Sequence, residues 1–422
     1  MSESREIKRV IHVPRRFVAH EWGGTETVIA ELLREQRRAG LTPEIHTSLA
    51  LSATRHEHWQ ELEIFRYPYC YPFFGLSAAQ KQAMDKKGGN LLSWSLFRSL
   101  WRRPDVRIFH AHALKRLGGE VFTAARLQHK PFVVTLHGGV FDVPPAELAQ
   151  LTEAQAGKFE WGRAWGALLR SRQILHEADA VICVGRNEAE KAREQLGHDR
   201  VHHLGNGVDP VRFSGGNGPA FRATHGLPAS AVVLSCISRL DPQKDQLTLI
   251  EAFDKLAAGH PELHVMLAGP ETAAAYVVQL DQRIAASPHR DRIHKLGSLD
   301  PTARELADAL AATDVFVLPS RHEPFGIVVL EAWCASRPVV VSRVGGLQHL
   351  VTAGKTGAFF TAGNAGELAD QLRPLVGDAG QRQTWGEAGR AEAIDRHTWK
   401  QIAEQTEQIY RGAEARVAAG RP

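Results

Sequence analysis

The chain has 422 residues, of which 43% are hydrophobic and 23% charged, so it is too long for one ordinary domain and suits two globular domains of about 200 residues. No stretch approaches the roughly 18 apolar residues of a membrane-spanning helix, and the start, residues 1–10, lacks the apolar core of a signal peptide. The net charge is +4, and residues 1–200 carry 29 basic against 23 acidic side chains. A basic N-terminal half can face anionic lipid, a diphosphate-linked acceptor or nucleic acid, or it is simply a slightly basic solvated surface.

Short apolar runs alternate with helical patterns along the chain, and this series occurs twice. The predicted strands are, in the first series, 9–13, 106–110, 132–136 and 180–184, and, in the second, 232–237, 264–268, 315–318 and 339–341. Helical periodicity lies between them, as over 25–39 and 246–258. Fully apolar strands that alternate with helices are typical of parallel sheets covered on both faces, so we predict two Rossmann-like α/β domains.

A cluster of glycine, proline and asparagine over 205–219 separates the two series. Such a cluster favours a turn and marks the best boundary between domains. We therefore predict an N-terminal domain over 1–205 and a C-terminal domain over 206–395, with a final helical segment in 396–422. Gly207 gives the backbone the freedom that a hinge requires.

Two carboxylates stand out in the second domain. Glu323 and Glu331 have seven residues between them and lie between the predicted strands 315–318 and 339–341. This order puts Glu323 in the loop at the carboxyl end of a strand and Glu331 in the helix that follows. Ligands of open parallel sheets bind at that edge, so the pair can hold two hydroxyl-bearing parts of one ligand, such as a sugar and a ribose.

A basic pair follows the first strand of the same domain. Arg239 and Lys244 lie five residues apart at the end of strand 232–237 and just before a helix. The arginine offers a fork of donors, the lysine a point charge and the helix its N-terminal dipole. The pattern therefore predicts a diphosphate clamp, or otherwise an exposed basic turn.

Together these motifs carry a family resemblance. Residues 321–326 followed by Glu331 closely resemble the E-x7-E signature of the retaining glycosyltransferases of family 4, and 238–244 resemble their G-R-L-x-x-x-K motif, with Ser238 in place of glycine. The resemblance implies the GT-B fold, in which two Rossmann-like domains with parallel sheets face an interdomain cleft. It also implies that the N-terminal domain binds the acceptor, that the C-terminal domain binds a nucleotide-sugar, and that the final helix packs back on the N-terminal domain.

The resemblance assigns roles to residues of the second domain. Arg239 and Lys244 would neutralise the leaving diphosphate, Glu323 would hold hydroxyls of the donor sugar, and Glu331 would bind the ribose. The remaining donor-binding residues expected in this domain are Phe325, Gly326 and Ile327 beside the sugar and Gly297 and Leu299 in the loop that holds the base.

In the first domain the matches to the family are looser. Gly23 and Gly24 resemble a glycine pair that contacts the donor, and His137 resembles the histidine beside the donor sugar, which we count with the catalytic residues. We also expect acceptor contacts from Arg15, Arg16 and His112. The spacing of His110 and His112 would suit a metal ion, but no third ligand pattern accompanies it, and we predict no metal site.

The implied function is that of a retaining hexosyltransferase. It would transfer a sugar from a nucleotide diphosphate sugar, GDP-mannose or a UDP-hexose, to a glycan or lipid-linked acceptor in bacterial polysaccharide or glycolipid synthesis. The resemblance also implies a front-face route, and the sequence offers no clear candidate for a carboxylate nucleophile. No cofactor is predicted, since the nucleotide-sugar is a substrate, and no nucleic acid partner. The alternatives are a non-catalytic nucleotide- or lipid-binding scaffold subunit, a GT-B glycan phosphorylase or a sugar-nucleotide 2-epimerase.

An aromatic, apolar and basic region covers residues 67–75 and 91–103. It suggests peripheral contact with an anionic inner membrane and a lipid-linked acceptor, or otherwise an ordinary core helix with a basic end. The cysteines are far apart in sequence and form no C-x-x-C pair: Cys70, Cys183, Cys236 and Cys334. We interpret them as reduced thiols and expect a cytoplasmic protein, active in the cytosol or at the cytoplasmic face of the membrane.

Overall fold

The computed structural model describes residues 8–141, 158–300 and 304–421. The chain divides into two compact units, the first formed by Met1–Gly205 with Trp399–Pro422 and the second by Asn206–Thr398. The first boundary falls after residue 205, where the glycine-rich cluster begins, and the final segment starts at residue 399 rather than 396. Residues 1–7, part of the start interpreted above, lie outside the described residues.

The first unit is built around an eight-stranded sheet. Its strands are β1 (Arg9–Val13), β2 (Thr42–Ser48), β3 (His56–Trp59), β4 (Leu62–Tyr67), β5 (Val106–Ala111), β6 (Phe132–Leu136), β7 (Ala180–Cys183) and β8 (Val201–His203). The helices described in its first 205 residues are α1 (Gly24–Arg38), α2 (Ala78–Lys87), α3 (Trp94–Trp101), α4 (Lys115–Leu127), α5 (Arg163–Leu168), α6 (Ile174–Glu177) and α7 (Arg186–Leu196), with a short 3-10 turn at Ala19–Glu21. The strand order is β3-β4-β2-β1-β5-β6-β7-β8.

One edge of this sheet departs from the predicted parallel pattern. β3 pairs with β4 in the antiparallel direction, whereas the other neighbouring strands pair in parallel. Gln60 and Glu61 join the two strands, and both have positive φ angles, 45° and 69°. Two such residues form the tight turn whose twist matches a hairpin. β2, β3 and β4 were not predicted, because their sequences mix polar and apolar residues.

The second unit contains a six-stranded sheet that is parallel throughout. Its strands are β9 (Val232–Ile237), β10 (Leu263–Ala268), β11 (Ile293–Lys295), β12 (Val315–Leu318), β13 (Val339–Ser342) and β14 (Gly357–Phe360). Its described helices are α8 (Pro210–Ser214), α9 (Gly218–Thr224), α10 (Gln246–Ala257), α11 (Ala274–Ala286), α12 (Glu305–Ala311), α13 (Ile327–Cys334), α14 (Leu347–Leu350), α15 (Ala365–Gly377) and α16 (Ala379–Arg396), with a 3-10 turn at Arg290–Arg292. The strand order is β11-β10-β9-β12-β13-β14, and the predicted α/β class is confirmed.

Each sheet has a point at which its strand order reverses. In the first sheet the chain builds outward from β1 on one side and then continues from β5 on the other, and in the second it does the same at β9 and β12. Ligands of open α/β sheets bind beside such switch points, outside the carboxyl ends of the strands. The candidate ligand-binding loops of this fold are therefore those after β1, β5, β9 and β12.

The final helix, α17 (Trp399–Ala418), belongs to the first unit. It packs against α1, β6 and β7 through a buried face that includes Ile402 and Tyr410. Arg107 of β5 forms ion pairs with Glu407 at 2.8 Å and Glu414 at 2.7 Å, which fasten the helix to the sheet. None of the described helices is both long and apolar enough to cross a membrane.

Candidate active site

Two loops of the second unit bring opposite charges together at the carboxyl ends of β9 and β12. The first loop carries Lys244 and the second carries Glu323, and Nζ of Lys244 lies 2.5 Å from Oε2 of Glu323. Glu323 is only 8% exposed, and the hydroxyl of Ser320 donates to the same carboxylate oxygen at 3.4 Å. Two predicted catalytic residues thus form one ion pair at the switch point of the sheet.

Arg239 lies in the same loop as Lys244 but on a more open part of it. Its guanidinium contacts Oδ2 of Asp241 at 3.2 Å and donates to Oε1 of Gln243 at 2.8 Å, and its side chain is 46% exposed. A guanidinium has five N–H donors, so these two contacts leave donors for an anion. Arg239 can therefore bind a diphosphate while the loop keeps its conformation.

Gln243 joins the two loops. Its side-chain amide nitrogen donates to the carbonyl of His322 at 3.0 Å, and its own backbone carbonyl accepts from N–H of Arg321 at 2.7 Å. Because its amide oxygen also accepts from Arg239, one residue sets the distance between the basic loop and the glutamate loop. Gln243 was not predicted, because a glutamine between a proline and a lysine gives no motif of its own.

The turn after Glu323 depends on glycine. Gly326 has a φ angle of 97°, and a Cβ atom there would lie 2.6 Å from Cδ2 of Leu347. α13 begins at the next residue, Ile327, and the first N–H groups of a helix have no partner within it. The predicted donor-binding residues Phe325, Gly326 and Ile327 therefore lie at a helix N-terminus that favours an electronegative group.

A second glycine pair supports this turn from the loop after β13. N–H of Gly346 donates to the carbonyl of Glu323 at 2.8 Å, and a Cβ atom on Gly345 would lie 2.1 Å from that carbonyl oxygen. Gly345 also has a positive φ angle of 46°. The pair was missed, although its signal, two glycines at the start of a helix that follows a strand, is the same one that indicated Gly23 and Gly24.

The remaining predicted donor-binding residues are more dispersed. Glu331 lies half-buried in the second turn of α13. The carbonyl of exposed Gly297 accepts from N–H of Gly269 at 3.1 Å, and Leu299, half-buried, follows two residues later. A Cβ on Gly269 would lie 2.0 Å from the carbonyl oxygen of Ser238, so this glycine allows the loops after β9 and β10 to meet.

The glycine pair of the first unit opens α1, as the sequence pattern indicates. Gly24 is the first residue of the helix and Gly23 precedes it as the N-cap. Arg16 lies nearby and donates to the carbonyl of Glu21 at 3.1 Å. Its guanidinium is also 3.9 Å from the carboxylate of Glu26, so the charge is only loosely paired.

Arg15 is engaged differently from Arg16. Its guanidinium donates to the carbonyls of Met84 at 3.2 Å and Asp85 at 2.7 Å, at the C-terminal end of α2. Tyr69 and Tyr71 both donate to the carboxylate of Asp85, at 2.6 Å and 2.7 Å. A cation at a helix C-terminus satisfies carbonyls that have no partner in the helix. Arg15 thus fixes α2, a contact that the sequence did not suggest.

His112 and His137 lie in a group of four histidines at the carboxyl edge of the first sheet. Nδ1 of His112 is 2.9 Å from Nε2 of His137, and Nε2 of His112 is 3.0 Å from Nδ1 of His12. Burial lowers the pKa of His12 and of His137 to about 4, so both rings are neutral near pH 7. Nitrogens of His12, His110 and His112 lie within 4.8 Å of one another. His12 is the third histidine of this cluster, and the sequence did not reveal it.

Two family models match the chain, one over each unit. The model described as Glycosyltransferase Family 4 matches residues 22–212, and the model described as Glycosyl transferases group 1 matches residues 219–392. The chain belongs to glycosyltransferase family 4. It is therefore a transferase enzyme, as predicted.

Named relatives of this family 4 glycosyltransferase agree with the assignment. The alpha-maltose-1-phosphate synthase of Mycolicibacterium smegmatis is 32% identical over 260 residues, which cover 58% of this chain and 66% of that protein. The D-inositol 3-phosphate glycosyltransferase of Kribbella flavida is 27% identical over 414 residues, or 94% of this chain and 92% of its own. A glycogen synthase of Mycobacterium tuberculosis is 28% identical over 354 residues, 80% of each chain.

Solved structures show that the glycosyltransferase has the GT-B fold. The Anabaena protein HepE in complex with UDP and glucose aligns over 96% of this chain and 99% of its own, with a TM-score of 0.69 and 19% identity. The sucrose-phosphate synthase of Thermosynechococcus elongatus aligns over 97% and 99%, with a TM-score of 0.72 and 21% identity. At these identities the likeness shows the fold alone and does not identify the donor or the acceptor.

Proposed function

We propose that this glycosyltransferase transfers a hexosyl unit from a nucleoside diphosphate sugar to an acceptor hydroxyl and retains the configuration at the anomeric carbon. The observation that carries the proposal is the ion pair of Lys244 with Glu323, with Arg239 in the same loop. Two cations at a strand's carboxyl end suit a diphosphate, and a buried carboxylate beside them suits the hydroxyls of the attached sugar.

The ion pair defines what has to change when the donor binds. Lys244 would exchange its contact with Glu323 for the diphosphate, and Glu323 would then accept hydrogen bonds from sugar hydroxyls. Arg239 needs no such exchange, because its donors are already accessible. Negative charge grows on the diphosphate as the sugar leaves, so both cations stabilise the transition state more than the bound donor.

The roles of Glu323 and Glu331 bear on how the configuration at the anomeric carbon is retained. A double-displacement route requires a carboxylate nucleophile about 5 Å from the acid–base carboxylate. With the donor bound, Glu323 would accept from the sugar hydroxyls and from Ser320, and Glu331 is assigned to the ribose. We therefore propose a front-face route, in which an oxygen of the departing diphosphate takes the proton of the acceptor hydroxyl. This route needs no metal ion or other cofactor.

The proposed donor follows from the residues of the site and from a solved structure of the same fold. The loop of Gly297 and Leu299 would hold the base and Glu331 the ribose, which suits any nucleoside diphosphate hexose. The Anabaena protein of the same fold was solved with UDP-glucose, which makes UDP-hexoses the first donors to test and GDP-mannose the next.

The acceptor is proposed to be a glycan or a lipid-linked sugar of bacterial polysaccharide or glycolipid synthesis. Of the two arginines expected to contact a phosphate on it, Arg15 is held by the carbonyls of α2, whereas Arg16 has only one close backbone contact. Arg16 is therefore the better candidate for an acceptor phosphate. Both ring nitrogens of His112 are engaged by His12 and His137, so His112 would act through His137 rather than contact the acceptor itself. Arg15 would act by fixing the loop that carries Arg16.

Peripheral membrane contact is part of the same proposal and rests on exposed aromatic side chains. Leu96 and Leu100 of α3 are buried in the core, but Trp94 and Trp101 of the same helix are 43% and 51% exposed, and Phe74 is 62% exposed. Exposed aromatic rings beside basic residues suit an anionic bilayer surface. Co-sedimentation with phosphatidylglycerol vesicles, compared with a Trp94→Ser/Trp101→Ser variant, tests this contact at the cytoplasmic face.

The function is tested by donor hydrolysis. The full chain is incubated with UDP-, GDP- and ADP-hexoses, with and without lipid-linked and free glycan acceptors, and nucleotide release is measured with Lys244→Ala as the control. Release from one donor, lost in the control, supports the proposal, and proton NMR of the product then gives its anomeric configuration. Nucleotide binding without turnover under every condition would indicate a scaffold, and phosphate-dependent glycan breakdown would indicate a phosphorylase.

A further inference from the structure

A continuous chain of side-chain hydrogen bonds runs through the interior of the first unit. It begins at the carboxyl edge of the sheet, reaches the C-terminal helix at Tyr410 and returns to the sheet at Thr135 of β6. Its members, here called the histidine chain, are His137, His112, His12, Gln36, Tyr410, His110 and Thr135. The successive donor–acceptor distances are 2.9, 3.0, 2.9, 3.2, 2.6 and 2.7 Å.

The amide of Gln36 sets the direction of every bond in the histidine chain. Its oxygen accepts from Nε2 of His12, so the other nitrogen of that neutral ring, Nδ1, must accept from Nε2–H of His112. By the same rule Nδ1 of His112 accepts from Nε2–H of His137. The last free position, Nδ1 of His137, is then an acceptor, and no partner for it is found among the described residues.

The other arm of the histidine chain is fixed by the same amide. The amide nitrogen of Gln36 donates to the hydroxyl oxygen of Tyr410, and the phenol therefore gives its own proton to Nδ1 of His110. Nε2–H of His110 then donates to Thr135. All these rings are neutral, because burial lowers the pKa of each of the four histidines.

Reversing the amide of Gln36 would reverse all the donors and acceptors together. Nε2 of His12 would then accept from the amide. His12, His112 and His137 would each carry the ring proton at Nδ1 instead of Nε2. His137 would end with an N–H at Nδ1 rather than a lone pair. In the orientation that the structure records, the amide nitrogen of Gln36 faces the hydroxyl of Tyr410, which corresponds to the first arrangement.

A metal ion is the competing use of these histidines. Nitrogens of His12, His110 and His112 come within 4.8 Å of one another, which is close to a three-histidine ligand set. Each of these nitrogens already has a hydrogen-bond partner, and the rings of His110 and His112 are stacked at 4.3 Å with 29° between their planes. Stacked rings direct their lone pairs side by side rather than to one point, so we favour the hydrogen-bonded arrangement.

We propose that Gln36 and Tyr410 are positioning residues that fix the tautomer of His137, so that its Nδ1 receives a hydrogen bond from a sugar hydroxyl. An acceptor-only nitrogen favours a neutral hydroxyl-bearing sugar over one with a carboxylate or phosphate at the same place. The inference rests on the proposed function for its ligand, but the tautomer can be observed without turnover.

The experiment uses the full chain labelled with 15N-histidine. Long-range proton–nitrogen spectra report which ring nitrogen carries the proton, and His137→Gln identifies the signals of His137. In the wild type we expect protonated Nε2 and an unprotonated Nδ1 for His137. Tyr410→Phe and Gln36→Met should each make both tautomers visible. With the active donor, kcat/KM should then fall by about 3- to 10-fold, the value of one net hydrogen bond.

Tyr67→Phe is the matched control. Tyr67 is a tyrosine of the same unit whose hydroxyl contacts Nδ1 of His46 at 2.9 Å, and neither residue belongs to the histidine chain. It should change the signals of His46 and leave His137 unchanged. The proposal is overturned if His137 carries its proton at Nδ1 in the wild type, if Tyr410→Phe leaves its tautomer unchanged, or if zinc binds stoichiometrically and shifts His12, His110 and His112. A shifted tautomer without activity on any donor would instead contradict the proposed function alone.

Discussion

The switch points of the two sheets hold their polar side chains in opposite ways. At the switch point of the second sheet, full charges are paired across loops, with Lys244 against Glu323 and Arg321 2.6 Å from Asp245. At the carboxyl edge of the first sheet, four histidines are neutral and joined by hydrogen bonds. Under the proposed function, the charged site would bind the diphosphate and, through Glu323, part of the sugar, whereas the neutral site would bind sugar hydroxyls alone.

The largest effect should come from removing the cation of the charged site. We predict that Lys244→Ala lowers kcat at saturating donor by about 100-fold or more, because a positioned charge that acts on the leaving group is worth this much. Initial rates of nucleotide release measure the change. Lys255→Ala is the control, since that exposed lysine of the same unit lies in the last turn of α10, away from the assigned donor-binding residues. An unchanged kcat in folded Lys244→Ala would contradict the assigned role.

Glu120 tests whether burial in the first unit keeps an ionisable side chain neutral. This buried carboxylate accepts from N–H of Ser93 at 2.6 Å, and burial raises its pKa to about 8. The folded state therefore keeps the proton from its ordinary pKa of 4.5 up to about 8, while the unfolded state loses it, so stability falls as the pH rises through this window. We predict that Glu120→Gln stabilises the protein by on the order of 2 kcal/mol at pH 7.

The measurement is the melting temperature between pH 4.5 and 8. The gain from Glu120→Gln should shrink toward zero as the pH approaches 4.5, because both states are then protonated. Glu194→Gln, at an exposed glutamate of α7, controls for the loss of one charge. A gain that does not depend on pH, or a loss at pH 7, would mean that Glu120 is ionised in the folded protein.

Much of the fold could be predicted, because its central strands are apolar along their whole length. The predicted bounds 9–13, 132–136, 232–237 and 315–318 coincide with β1, β6, β9 and β12. β2 to β4 were missed because their sequences mix polar and apolar residues, and the two-residue turn of Gln60 and Glu61 has no glycine to mark it. Hydrophobic periodicity indicates a strand only where its buried residues are apolar, and β2 buries the polar side chains of His46, Thr47 and Ser48.

The charged part of the site could also be predicted, because its residues lie in short linear motifs after strands. Lys244 and Glu323 were named from such motifs, and the structure places them in contact. The histidine chain could not be predicted in the same way. Gln36 and Tyr410 are 374 residues apart, and their contact exists only because α17 returns to the first unit. Sequence patterns indicate what a loop carries, but not which distant helix supports it.

The smallest effect is expected at the residue that joins the two motifs. Gln243→Ala removes the hydrogen bonds to Arg239 and to the carbonyl of His322 but keeps the backbone bond with Arg321. We predict that kcat/KM for the donor falls by about 5-fold, since these two side-chain contacts at a solvent-exposed site are each worth about 1 kcal/mol or less. Gln383→Ala, at a glutamine of α16 that bonds only Glu387 among the described residues, is the matched control in the same assay. If Gln243→Ala and its control behave alike, Lys244 and Glu323 hold the two loops together by themselves, and the charged site needs no neutral support.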